Sequence, residues 1–159
     1  MSIEKVRSYL KSFGLDGRIQ EFDVSSATVE LAAIALGIDG ARIAKTISLS
    51  DNCGGAILVV TAGDYKIDNR KFKDRFSLKP KMLSHEEALE KTGHAVGGVC
   101  PFALPEGVCV YLDESLKRFE TVFPAAGSSN SALEVSCDEL FSASGALGWV
   151  DVCKSRETT

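Results

Sequence analysis

Apolar and polar positions alternate with period two along Arg42-Ile43-Ala44-Lys45-Thr46-Ile47-Ser48-Leu49. This spacing predicts a strand with Ile43, Ile47 and Leu49 on its inward face. Lys45 falls on that same face, between two isoleucines, where its ammonium loses water. A lysine is tolerated there when it has a partner, borders a cleft or takes part in chemistry. The competing reading is a packed stem whose head snorkels to water at the sheet edge. Asp51-Asn52-Cys53-Gly54-Gly55 is turn chemistry, so Ala56 to Ala62 is expected to return as an antiparallel hairpin partner. Its run Ile57-Leu58-Val59-Val60 points to burial on both faces.

Helical spacing marks other stretches. Ile3, Val6, Leu10 and Phe13 form one stripe, ended by Gly14. Arg18 to Val24 reads as a short strand, and Ser25 or Ser26 as the cap of a helix that carries Glu30 in its first turn and ends before Gly37. Asp68 or Asn69 can cap a short helix with Phe72 and Phe76 turned to the core. Ser84-His85-Glu86-Glu87 matches a capping box, opening a helix to about Lys91 that stops near Gly93. Gly97 to Pro105 is a glycine- and proline-rich loop, followed by an alternating strand around Val108, Val110 and Leu112. Phe119 to Ala125 and Ala132 to Val135 read as strands joined by a small-residue loop. Asp138 to Ser144 reads as a closing helix before Gly145, and Trp149 to Val152 as a last strand. Regular crossover helices do not separate the strands, which predicts an α/β chain of the α+β type. Its sheet is expected to be curved, mixed and largely antiparallel, with helices packed around it.

Length and composition bound the rest. At 159 residues, with 45% hydrophobic and 25% charged residues, the chain fits one soluble domain over 1–159. Its five cysteines (Cys53, Cys100, Cys109, Cys137 and Cys153) form no C-x-x-C pair. That disfavours a zinc site or disulfide framework and fits a reducing compartment. There is no apolar signal region and no run of membrane-spanning length, so a cytoplasmic location without membrane contact is expected. Seven bases between Lys66 and Lys81 face only Asp68 and Asp74, a local +5 in a chain of net charge −4, which leaves −9 elsewhere. Such a patch suits a limited contact with a polyanion, for which Lys66, Arg70, Lys71 and Lys73 are the candidates. A solvated helix face is the other reading.

Candidate chemistry concentrates in Gly97-Gly98-Val99-Cys100-Pro101. Two glycines permit positive φ and close approach of a ligand to the backbone. Pro101 holds Cys100 extended, and successive free N–H groups in such a loop can hold an oxyanion; a plain rigid turn is the simpler reading. The spacing fits neither a Walker loop nor a dinucleotide fingerprint. His94 is placed to serve a site or to bond loop backbone, and Cys100 acts as a nucleophile only with a base beside it.

Four segments in this order and spacing resemble the YbaK/EbsC family of aminoacyl-tRNA deacylases, relatives of the editing insertion domain of bacterial prolyl-tRNA synthetase. They are Ile43-Ala44-Lys45-Thr46, the run Thr92 to Phe102 with its Gly97-x-x-x-Pro101, Val110 to Leu116, and Ala125-Ala126-Gly127. The resemblance implies a compact α/β domain that hydrolyses, in trans, the ester of a mischarged aminoacyl-tRNA, with tRNA for proline carrying a small wrong amino acid as the first candidate. It implies that Lys45 is the residue the reaction depends on. The amides of Gly98, Val99 and Cys100 would stabilise the oxyanion. Thr46, His94, Gly97, Pro101, Ala126, Gly127 and Ser128 would line the substrate site. It implies the acceptor end of aminoacyl-tRNA as partner, prolyl-tRNA synthetase as a second one, and no metal or other cofactor. Some members carry a histidine where this chain has Pro124-Ala125-Ala126-Gly127, so a histidine-based selectivity does not transfer. The alternative within the same fold is a non-catalytic module that binds the tRNA end or a synthetase.

Overall fold

The computed structural model describes residues 2–95 and 97–156; Val96, within the glycine–proline segment, lies outside them. The chain runs α1 (Ser2–Lys11), β1 (Gln20–Glu21), α2 (Val29–Leu36), β2 (Ile43–Ser50), β3 (Ala56–Ala62), β4 (Tyr65–Ile67) and α3 (Asn69–Phe76). It continues through α4 (His85–Thr92), β5 (Val108–Asp113), β6 (Thr121–Pro124), β7 (Ser131–Ala132), β8 (Val135–Ser136), α5 (Cys137–Ser144), β9 (Gly148–Val150) and β10 (Cys153–Ser155). The main sheet has six strands in the order β8-β6-β2-β3-β5-β9.

The hairpin of β2 and β3 is its centre, with Lys45 opposite Thr61 and Ile47 opposite Val59. Every residue of β3 is buried, because both faces are covered, as its unbroken apolar run requires. One face packs against Val6, Leu10, Phe102 and Leu140, the other against Phe72, Val152 and Cys153. The sheet is mixed as expected, but the share of parallel pairing is larger. β2 with β6, β3 with β5 and β5 with β9 run parallel, while β2 with β3 and β6 with β8 run antiparallel. Two short antiparallel ribbons, β1 with β7 and β4 with β10, lie outside it.

Helix signals translate well. Asp68 caps α3 by accepting from the amides of Arg70 and Lys71, and Ser84 and Glu87 form the expected capping box at α4. Other boundaries differ for identifiable reasons. Thr28, rather than Ser25 or Ser26, caps α2, because the amide and hydroxyl of Ser26 both donate to Ser129 O. α1 stops at Lys11, so Phe13 is 42% exposed and leans on Tyr9 instead of joining the core. In the stretch 18–24, Arg18 closes a 3₁₀ turn over Asp16–Arg18 and only the two-residue β1 follows, in place of one strand. The expected strand 132–135 is split into β7, which pairs with β1, and β8, which pairs with β6. β4 and β10 are three-residue strands that hold each other, too short to register as a pattern. Among the described residues no helix is long and apolar enough to cross a membrane.

Candidate active site

Interrupted pairing along one edge of β2 creates the site. Ile43 and Ala44 pair with Phe123 and Pro124 of β6. Further on, Ser50 N–H donates to Lys81 O at 2.9 Å and Leu83 N–H to Ser48 O at 3.0 Å. Backbone polar groups alternate sides with period two, so those of Thr46 point the same way as those of Ser48 and Ser50, into the gap between the two partners. No hydrogen bond to them is formed on that side among the described residues. Beside the gap opens a cavity of about 610 Å³. Its floor is Ile43 to Ser48, and its walls come from the chain entering α2, from α4, from Gly97 and Val99, and from Phe123, Ala125 and Ala132.

Lys45 enters this cavity and forms no ion pair among the described residues. Burial, and then the neighbouring charge of Arg156, hold its ammonium below the usual lysine range, while Cys153 and Glu30 act in the opposite sense. Thr46 Oγ1, on the next residue, is the one buried side-chain N or O atom without a hydrogen-bond partner among the described residues. A buried unpaired hydroxyl is costly, and here it lies beside a cavity able to admit a polar ligand group.

The glycine–proline loop supplies a wall. Gly98 N–H donates to Ala95 O at 2.9 Å, so it is committed to the loop and drops out of the expected oxyanion trio. No acceptor engages the Val99 or Cys100 amide among the described residues, and Val99 faces the cavity. The close approach at Gly98 is made by the chain itself: a Cβ there would lie 2.8 Å from Ser128 Cα. Gly98→Ala is therefore expected to lower stability by about 1–3 kcal/mol and to reduce activity by prying the two loops apart. Gly17→Ala, where a Cβ meets nothing within 4 Å, should stay within about 0.5 kcal/mol of the parent. Thermal unfolding of both variants checks the contrast.

Several expected site residues lie behind the wall. Ala126 is fully buried in the core, Gly127 packs at φ +95° against Val6 and Ser2 O, and Ser128 Oγ donates within its loop. From this segment Ala125, Ser131 and Ala132 reach the cavity instead. Pro101 is buried. His94, 1% exposed, sits under the loop, with Nε2–H donating to Phe102 O at 2.8 Å and Nδ1 accepting from the Ser2 hydroxyl. Cys100 Sγ is 3.5 Å from His94 Nε2, which superficially resembles a nucleophile–base pair. Burial opposes that use on both sides, pushing the Cys100 thiol up to about 12 and the His94 imidazole down. A thiolate–imidazolium pair is thus disfavoured, and the full burial of Cys100 also argues against its use as a nucleophile.

Of the basic candidates, Lys66 lines the cavity, and Arg70 and Lys73 are exposed on α3. Lys71 is tied to Asp151 at 3.0 Å and to Cys153 O at 3.2 Å. The cavity residues contributed by α2, α4 and Arg156 carry no motif; only their distance from β2 in sequence hides them. Among the described residues no group of three or more His, Cys, Asp or Glu side chains could hold a metal ion.

Comparison with known proteins identifies the family. Residues 24–143 match the aminoacyl-tRNA editing domain. The chain is 50% identical over 157 residues to the uncharacterized protein YwhH of Bacillus subtilis (strain 168), covering 99% of this chain and 100% of that one. It is 27% identical over 116 residues, 72% of this chain and 71% of the other, to EbsC of Enterococcus faecalis, provisionally named a Cys-tRNA(Pro)/Cys-tRNA(Cys) deacylase. A crystal structure provisionally described as a trans-editing enzyme for prolyl tRNA synthetase superposes with TM-score 0.86 at 27% identity, over 97% of this chain and 98% of that one. With the editing domain matched over most of its length and the fold shared from end to end, this chain belongs to the YbaK/EbsC family of aminoacyl-tRNA editing proteins.

Proposed function

We propose that this protein hydrolyses, in trans, the ester joining a small wrong amino acid to tRNA, with tRNA for proline the first carrier to test. The observation that carries the reading is Lys45 in a cavity beside the Thr46 hydroxyl and the Val99 amide, with no ion pair to the lysine and no hydrogen bond to the other two among the described residues. The chemistry needs little more. The oxygen of a water attacks the ester carbonyl carbon, the bond to the ribose oxygen breaks, and that oxygen takes a proton. The products are the free amino acid and uncharged tRNA. In this reading the Val99 and Cys100 amides donate to the oxyanion, and Lys45 holds the terminal phosphate or ribose or polarises the carbonyl. The water is activated by the substrate itself.

Physics supplies the reason for such a site. A synthetase pocket separates residues that differ by one methylene by only about 1–3 kcal/mol. A second site that admits the smaller product and hydrolyses it corrects the error. In this reading Val99, Ala125 and Ala132, which line the cavity, set the size of the aminoacyl group it accepts.

The test is a panel of tRNA for proline charged with alanine, cysteine, serine or proline, with and without prolyl-tRNA synthetase. The name carried by EbsC gives cysteine a particular place in it. Loss of one small amino acid with proline spared is the expected result. Binding of tRNA without hydrolysis of any ester would turn the reading to a tRNA-end binding module, and a rate that requires the synthetase would assign delivery to that partner.

A further inference from the structure

The charge balance of the cavity is unfinished. Its lining carries Lys45, Lys66 and Arg156 against a single carboxylate, Glu30, a surplus of +2 counted over its lysine, arginine, aspartate and glutamate side chains. The carboxylate does not hold Arg156 firmly. Arg156 Nη1 stands 3.7 Å from Glu30 Oε1, with the two side chains 48% and 70% exposed. An exposed ion pair of this kind contributes little and is readily exchanged. Glu30 also has a second source of stabilisation, because it lies in the first turn of α2 where the helix end favours negative charge. Arg156 itself is well anchored: its amide donates to Asp64 O at 2.9 Å directly after β10. A guanidinium offers a planar fork that matches a phosphate better than a lone carboxylate oxygen at this distance. Arg156 lies outside residues 24–143, the part matched to the editing domain.

We propose that Arg156 is a phosphate-binding residue of this cavity, and that Glu30 occupies its guanidinium until a phosphodiester near the 3′ end of an RNA takes it over. The proposal rests on the tRNA reading above. Glu30 and Arg156 both line the cavity that Lys45 enters, and both charges act on the Lys45 ammonium, so the exchange frees a cation close to the residue the reaction depends on in this reading. The two residues then act with opposite sign, which a purely structural ion pair does not do.

The experiment measures the equilibrium binding of uncharged tRNA across a salt series, and KM and kcat on the ester that the wild type hydrolyses. The variants are Arg156→Ala, Arg156→Lys and Glu30→Gln. Arg156→Ala is expected to weaken binding on the order of tenfold, with the loss falling mainly on KM, and to reduce the salt slope by about one. Arg156→Lys should recover part of that loss. Glu30→Gln should tighten binding and lower KM. Loss in both Arg156→Ala and Glu30→Gln would mark a structural pair and overturn the proposal, as would an unchanged Kd in Arg156→Ala. If the wild type hydrolyses no ester, the catalytic reading has failed, and the tRNA-binding series still decides the role of Arg156. A parallel titration with free AMP separates the two sources of phosphate. An Arg156-dependent Kd for AMP, with tRNA binding insensitive to the residue, would overturn the RNA assignment.

Discussion

Lys45→Ala lowers kcat/KM for the hydrolysed ester by about 10²–10³-fold, the range for removing one preorganised electrostatic contact to a developing charge. The more telling variant is Lys45→Met, which keeps an unbranched stem in the same channel and removes the charge. Its activity falls alike, and its thermal midpoint stays at or above that of the parent. The reason is the direction in which the ammonium is perturbed. Burial, and then Arg156, lower its pKa from 10.5 in the fold, so the charged form is less favoured there than in the unfolded chain. Below the folded value the fold carries the whole of that penalty. The penalty fades as pH rises toward 10.5, so wild-type stability gains on Lys45→Met in that window. At neutral pH the methionine variant is free of it. Proteins hold such strain where function demands it. Full activity in either variant would remove Lys45 from the chemistry. Lost activity with a markedly lower midpoint would make it a packing residue.

How far the sequence could be read depended on the range over which each feature acts. Capping is local, so Asp68 and the Ser84–Glu87 box could be read directly from neighbouring letters. Burial on both faces could be read from the apolar run of β3. Lys45 stood out because a charge broke the apolar face of a strand, and the fold places it in the cavity. Parallel pairing was not legible, since β5 and β9 reach their places by long connections whose register depends on packing. Nor was the distinction between residues that face the cavity and residues that support it. Ala125 and Ala126 look alike in sequence, yet one lines the cavity and the other is fully buried in the core. The two glycines of the glycine–proline loop suggested ligand approach, but the space beside Gly98 is occupied by the backbone of Ser128. Arg156 could not be found at all, because its relation to Lys45 exists only through the β4–β10 ribbon.

Replacing His94 with alanine is expected to lower stability by roughly 2–4 kcal/mol, the second large effect. The imidazole bridges three parts of the chain. Nδ1 accepts from Ser2 at the start of α1, Nε2–H donates to Phe102 O, and Cys100 Sγ rests 3.5 Å away. Alanine leaves the Phe102 carbonyl unpaired inside the protein and opens a hole below the loop that presents the Val99 and Cys100 amides. His94→Gln restores a donor toward Phe102 and should recover part of the loss. The pH response separates this account from simple cavity formation. Phe102 O can only accept, so the ring must be neutral with its proton on Nε2 for Nδ1 to accept from Ser2. Burial lowers its pKa from 6.5, the nearby charge of Lys5 on α1 acts in the same sense, and the bond to Phe102 O opposes them. The stability that depends on neutral His94 is therefore complete above pH 6.5 and is lost as pH falls through the lowered folded value. Denaturant titrations from about one pH unit above to about one and a half units below the ordinary histidine value of roughly 6.5 should show the wild type losing stability faster than His94→Gln. Parallel slopes for the wild type and His94→Gln would show that His94 is not the titrating link between α1 and the loop.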